Sequence, residues 1–183
     1  MPSYDVKDRS AIVTGAGSGI GRAIALLLAA NGAAVVAADL DGDGAAAVVE
    51  EIRRDGGVAV ALTGDVAHPD FARTSVAAAT ELAPLRIAVN NAGISGESAS
   101  VADMSLDGWR RVIDVNLNSV FFGLQQQLPA IAAAGGGAVV NMASILGSVG
   151  FPGASGYVTA KHGLLGLTQN AALEYAEIGR AHV

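Results

Sequence analysis

The sequence predicts an α/β protein: a doubly wound parallel sheet in the strand order 3-2-1-4-5, with helices on both faces. Three observations predict it. Short continuous apolar runs at 11–13, 33–38, 58–62, 87–89 and 138–141 alternate with segments of helical composition. Continuous rather than alternating apolarity marks strands buried on both faces, as in parallel sheets. The first run leads straight into a glycine-rich turn and a helix, and right-handed crossovers around a site after the first strand give the doubly wound order.

The 183 residues are 51% hydrophobic with a net charge of -6. That composition suits one domain over 1–183 with a real core, and it excludes disorder. The acidic balance leaves no basic footprint for nucleic acid. Aromatic residues, at 4%, are too few for base-stacking platforms. There is no cysteine, hence no disulfide and no thiolate chemistry, which fits a reducing, cytoplasmic setting. The polar start, MPSYDVKDRS, is no signal peptide, and no run approaches the ~20 apolar residues of a membrane span. His68, His162 and His182 are scattered without grouped acidic partners, so no metal is expected.

Taken in order, strand 11–13 meets Thr14-Gly15-Ala16-Gly17-Ser18-Gly19-Ile20-Gly21, and a helix over 22–30 ends near Asn31-Gly32. Glycines between a strand and a helix let backbone N–H groups approach a pyrophosphate at the helix N-terminus, where the dipole favours anions. Strand 33–38 closes on Asp39, 18 residues after Gly21. A carboxylate there bonds ribose hydroxyls and repels a 2′-phosphate; the competing role is a helix N-cap. A helix over 45–54 and strand 58–62 lead to Gly64-Asp65-Val66, where Asp65 meets an adenine amino group or caps the helix over 69–82. Strand 87–89 runs into Asn90-Asn91-Ala92-Gly93, small and amide residues suited to close backbone contact.

A polar loop at 95–105 precedes one long helix over 106–133, with Asn116, a poor helix former, set among apolar residues. Strand 138–141 is followed by Ser144, and the helix over 155–176 carries Tyr157 and Lys161, four apart and so on one face. An ammonium beside a phenol favours the phenolate, and a tyrosine so tuned exchanges a proton with an alcohol or ketone oxygen. Ile145, Leu146 and Phe151 are read as an apolar pocket wall or as core.

These residues together carry a likeness. With the 14–21 turn, Asp65, Asn90-Asn91-Ala92-Gly93, Asn116, Ser144, and Tyr157 with Lys161, all in order, the chain resembles the short-chain dehydrogenase/reductase family over nearly its whole length. The resemblance implies a Rossmann-type fold and hydride transfer between NAD and a secondary alcohol or ketone. Tyr157 would be the acid/base, Lys161 would tune it and hold the nicotinamide ribose, Ser144 would polarise the substrate oxygen, and Asn116 would anchor a relay water. The cofactor residues implied are Gly15, Ser18, Gly19, Ile20, Gly21, Asp39, Asp65, Val66, Asn91, Ala92, Gly93, Tyr157 and Lys161. Asp39, and Ser18 where a basic residue would meet a phosphate, make NADP less expected. A homodimer or homotetramer is implied through the long helices.

The likeness departs at the C-terminus. After Glu174 the chain reads Tyr175-Ala176-Glu177-Ile178-Gly179-Arg180-Ala181-His182-Val183, with no expected sixth strand, Pro-Gly turn or substrate lid. The expectation is a shortened member whose fifth strand is an uncovered, aggregation-prone edge. Two other functions remain open: a catalytically weak dinucleotide-binding fragment, and an NADP-dependent 3-oxoacyl thioester reductase.

Overall fold

The strands sit where the apolar runs predict them. The structure of the chain, a computed structural model, describes residues 6–176 and, for the backbone, 179–182. β1 (Ser10–Thr14), β2 (Ala34–Asp39), β3 (Val58–Thr63), β4 (Leu85–Asn90) and β5 (Gly137–Asn141) pair in parallel in the order β3-β2-β1-β4-β5. Their connections are α1 (Gly19–Ala30), α2 (Gly42–Arg54), α3 (Pro69–Leu82), and the pair α4 (Leu106–Ile113) and α5 (Ser119–Ala133); α6 (Ser155–Glu174) follows β5.

The period of two along each strand divides the core. Ala11, Val13, Val35 and Ala37 face Ala25, Ala29, Val48, Val49 and Ile52 of α1 and α2. Ile12, Val36 and Ala88 face Ala79, Val120, Leu124 and Leu164 of α3, α5 and α6. Both faces are therefore dry under β1, β2 and β4, whereas β3 at the edge alternates between buried and exposed positions.

Two expectations need correction. A sixth strand, β6 (Gly179–His182), pairs in parallel with β5 through Gly137↔Gly179 to Val140↔His182. The fifth strand is thus not an open edge. A glycine, two polar residues and an alanine form no apolar run, so this strand carries no periodic signal; its ladder is supplied by the unpaired N–H and C=O groups of β5. Ile178 and Val183 lie outside the described residues. The single helix expected over 106–133 is also interrupted: residues Asp114–Asn118 form a π-helical turn between α4 and α5. Such turns insert one residue and concentrate at functional sites, and Asn116 sits at the centre of this one.

A chain of buried side-chain amides locks the carboxyl ends of β4 and β5 to the helices. Asn90 donates to Asn141 Oδ1 (2.8 Å) and to Gln127 Oε1 (3.1 Å), and Gln127 donates back to Asn90 Oδ1 (2.9 Å). Asn141 donates to Thr168 Oγ1 (2.9 Å), which donates to the Leu164 carbonyl (2.7 Å). Asn141 and Thr168 are nearly fully buried, so removing one acceptor strands a donor. Thr168→Val is expected to lower unfolding stability by about 1–3 kcal/mol. Urea denaturation reads it, and a loss below about 0.5 kcal/mol, the scale of a neutral surface change, would show that this chain does not hold the helices.

Candidate active site

β1 pairs with both β2 and β4, so the chain's winding reverses between β1 and β4. Ligands of doubly wound sheets bind at that switch, outside the carboxyl ends of the strands. A cleft of ≈ 400 Å³ opens there. Gly15, Ser18, Gly19, Ile20 and Gly21 line it from the first turn, Asp39 from β2, and Asp65 and Val66 from beyond β3. Asn91, Ala92 and Gly93 line it from beyond β4. All the dinucleotide residues expected from the sequence, Tyr157 and Lys161 excepted, share this one cleft. Gly64, beside Asp65, also lines it; Leu40, Ile94, Arg111 and Val115 complete the lining, and no motif pointed to these four.

The first turn is shaped by what glycine permits. Gly15 and Gly19 adopt φ of +65° and +52°, the left-handed region that strains other residues. At Gly21 the constraint is space: a Cβ there would lie 2.0 Å from the Gly15 carbonyl oxygen and 2.7 Å from Asn91 Nδ2. That close approach places the first turn of α1 against the cleft. No acidic side chain occupies this turn, and Ser18 at the N-cap makes no side-chain cap bond. The first N–H groups of α1 therefore remain available to an anion. An added Cβ at Gly19 would meet nothing within 4 Å, so the backbone here borders open cleft. This cradle fits a dinucleotide pyrophosphate.

Asn91 supports the turn rather than merely forming one of its own. Its Nδ2 donates to the carbonyls of Thr14 (2.9 Å) and Gly15 (3.3 Å), while the N–H groups of Asn91 and Ala92 both donate to Thr14 Oγ1. Asp39 is not the cap of α2. That role belongs to Asp41, which accepts from the N–H groups of Asp43 and Gly44. Asp39 instead accepts from Gly17 N (2.7 Å) and Asp41 N (2.9 Å), and its carboxylate keeps free lone pairs at the cleft. Asp65 does not cap α3, whose N-cap is His68. It accepts from Arg111 Nη1 (2.8 Å) and from Ala67 N (2.9 Å), and these two bonds hold its carboxyl below the ordinary carboxylate value.

A second group gathers beyond β5. Ser144 caps a short 3₁₀ turn, Ile145–Gly147, and its Oγ accepts from Leu146 N (3.2 Å), which leaves its own O–H free to donate. Lys161 is 4% exposed, and its ammonium donates to the Met142 carbonyl (2.6 Å). It stands 5.5 Å from the Tyr157 ring centroid. Burial alone lowers its pKa, since no carboxylate among the described residues pairs with it. Met142 N donates in turn to the Asn90 carbonyl (3.0 Å), one residue from Asn91 of the cleft. Ser144, Tyr157 and Lys161 do not line the cleft itself; this ladder joins them to its edge.

Asn116 is wholly buried and exchanges bonds with Ile94: its Oδ1 accepts from Ile94 N (3.2 Å), and its Nδ2 donates to the carbonyls of Ile94 (2.9 Å) and Val112 (2.9 Å). The side chain thus clamps the loop beyond Gly93. Ile145 and Phe151 are 78% and 61% exposed, so they are not core. The segment before α6 is tied to the loop beyond β4 by Ala99 N donating to the Gly153 carbonyl. Among the described residues, no cluster of metal-ligating side chains occurs, and no helix is long and apolar enough to cross a membrane.

The comparisons with known proteins agree with this geometry. Residues 9–181 match the short chain dehydrogenase family. A cyclohexanol dehydrogenase of Acinetobacter sp. (strain SE19) is 51% identical over 178 residues, which are 97% of this chain and 71% of that protein. A solved chain from Sinorhizobium meliloti 1021, described as a short-chain alcohol dehydrogenase, superposes with a TM-score of 0.91 at 38% identity, covering 98% of this chain and 73% of that one. Another, from Beutenbergia cavernae and described as an NAD(P) dependent gluconate 5-dehydrogenase with bound NADP at low occupancy, gives a TM-score of 0.88 at 37% identity, covering 98% and 71%. By sequence match and by the switch-point cleft alike, this chain belongs to the short chain dehydrogenase family, a family of NAD(P)-dependent oxidoreductases.

Proposed function

We propose that the chain transfers a hydride between NAD(H) and a secondary alcohol or ketone, with Tyr157 as the acid/base. The observation that carries this reading is Lys161: a buried ammonium with one carbonyl partner and, among the described residues, no counter-charge, facing the only phenol on its helix turn. An uncompensated buried charge is destabilising, so its retention points to chemistry. A bound nicotinamide supplies or accepts the hydride. The residues do the rest. Tyr157 gives or takes the proton at the substrate oxygen, and the free O–H of Ser144 donates to the same oxygen. Lys161, with one proton on the Met142 carbonyl, offers its remaining protons to ribose hydroxyls. Asn116, in its π turn, fixes the loop beyond Gly93, and with both amide N–H groups engaged it would meet a relay water through an oxygen. The exposed Ile145 and Phe151 suit an apolar substrate, which makes cyclohexanol, the alcohol named for the Acinetobacter relative, the first to test.

Tyr157→Phe keeps the ring and removes the transferable proton, so kcat is expected to fall by ~100- to 10,000-fold while NADH binding holds. Lys161→Met is expected to lower both turnover and NADH affinity without lowering the melting temperature, because it removes a buried charge. The lowered lysine pKa has a defined sign: below it the buried ammonium carries its full desolvation penalty. Stability of the unsubstituted chain therefore rises with pH between that lowered value and the ordinary 10.5. Steady-state kinetics beside calorimetry checks both substitutions, and near-full turnover by Tyr157→Phe rules out the mechanism. A chain that binds NADH but turns over none of a panel of secondary alcohols supports a dinucleotide-binding unit instead.

Cofactor choice rests on Asp39, whose carboxylate meets the ribose end of the cleft and repels a 2′-phosphate. NADH is expected to bind at least tenfold more tightly than NADPH, on the order of one charge-assisted contact. Asp39→Ala should narrow that gap in fluorescence titrations. Equal affinities in the unsubstituted chain would remove NAD preference from the reading.

The outer layer of α4, α5 and α6 leaves Trp109, Phe121 and Leu173 exposed, the last at 80%. A second copy of the chain is the occupant we assign to this layer, giving a homodimer or homotetramer. Light scattering at micromolar concentration should report at least a dimer, and Phe121→Glu should shift it towards monomer. A monomeric unsubstituted chain would contradict the assignment.

A further inference from the structure

We propose that Arg111 is a positioning residue for the adenine half of the dinucleotide, holding Asp65 at the cleft wall so that its remaining lone pairs accept from the adenine amino group. This inference rests on the dinucleotide reading above. Arg111 Nη1 reaches Asp65 Oδ2 at 2.8 Å across 46 positions of sequence, joining α4 to the turn beyond β3. Both residues line the cleft. The other oxygen of Asp65 is fixed by Ala67 N (2.9 Å), so the carboxylate plane is set from two directions. Each oxygen retains a second lone pair.

The pair is poorly suited to a purely stabilising role. Its side chains are 48% and 21% exposed, and ion pairs at that exposure contribute about 0–1 kcal/mol. Nor does Asp65 serve α3, which begins at Pro69 behind His68. The adjacent Arg110 shows what an ordinary solvated pair looks like here: it meets Asp107 on its own helix, at 69% and 97% exposure, away from the cleft. Arg111 alone of the two lines the cleft and reaches Asp65. The guanidinium of Arg111 faces Asp65 and favours its ionised form. The carboxylate oxygens of Asp65 are acceptors, and the exocyclic amino group of adenine is a donor.

The test separates adenine from the rest of the ligand. NADH, AMP (adenine without nicotinamide) and reduced nicotinamide mononucleotide (nicotinamide without adenine) are titrated into the full chain and into Arg111→Met, Arg111→Lys, Asp65→Asn and the Arg111→Met/Asp65→Asn double variant. Arg111→Met is expected to weaken NADH and AMP about tenfold, the scale of one charge-assisted bond, and to leave the mononucleotide unchanged. Arg111→Lys should recover part of the loss. The double variant should bind no more weakly than Asp65→Asn, because the two residues act through one contact. Unchanged NADH affinity in Arg111→Met overturns the inference. So does an equal loss for the mononucleotide, which would mean that α4 itself had shifted. If the unsubstituted chain binds none of the three ligands, the dinucleotide reading fails and takes this inference with it; if it binds all three and Arg111→Met matches it, only the role of Arg111 fails.

Discussion

Two backbone turns meet at the mouth of the cleft, and the space between them admits a hydrogen atom and nothing larger. The Gly15 carbonyl oxygen lies 2.0 Å from where a Cβ at position 21 would stand, and the Asn91 amide lies 2.7 Å from it. Because that gap stays closed, Thr14 Oγ1 accepts from Asn91 N at 3.0 Å and from Ala92 N at 3.1 Å, and Asn91 reaches back to the carbonyls of Thr14 and Gly15. These bonds join the carboxyl ends of β1 and β4, the two strands between which the winding reverses. They also aim α1 so that its unsatisfied N–H groups open on the cleft. A larger residue at 21 would separate the turns, and with them the anion cradle, the Asn91 support and the edge that leads to Lys161.

Most of the polar side chains buried in this protein gather around the carboxyl ends of β4 and β5 and the helices packed on them. Asn90, Asn141, Asn116, Thr168, Gln127 and Lys161 are all buried. Apart from Ser10, Thr14 and Ser75, the buried side chains elsewhere among the described residues are alanine, valine, isoleucine and leucine. Buried amides need every bond satisfied, and satisfying them fixes the relative heights of β4, β5, α5 and α6 more strictly than apolar contacts do. Lys161 is the exception, a charge with a single carbonyl acceptor. The surrounding hydrogen-bonded frame holds it in a place that its solvation energy opposes.

The π turn at Asp114–Asn118 contributes to the same end. It turns Asn116 inwards, where the amide exchanges two bonds with Ile94. One helix, interrupted once, thereby offers Arg111 to the outer wall of the cleft and Asn116 to its inner loop.

Much of this was legible in the residues. Five continuous apolar runs determined the parallel sheet, because burial on both faces leaves no room for alternation. The glycines at 15, 19 and 21 and the four-residue spacing of Tyr157 and Lys161 are local signals, since a turn conformation or a shared helix face depends on near neighbours alone. The role of Asp39 against that of Asp41 could not be read: both stand before α2 within the range of a cap, and only coordinates show which carboxylate meets Asp43 and Gly44. The π turn was hidden for another reason: Asp114, Asn116 and Asn118 mark a weak stretch of helix without showing that a residue is inserted there. The sixth strand and the Arg111 bridge were wholly tertiary decisions. β6 is made by the open backbone edge of β5, to which its own residues contribute no pattern. Arg111 finds Asp65 across 46 positions because the sheet order brings α4 over the end of β3, a proximity that no spacing along the chain encodes.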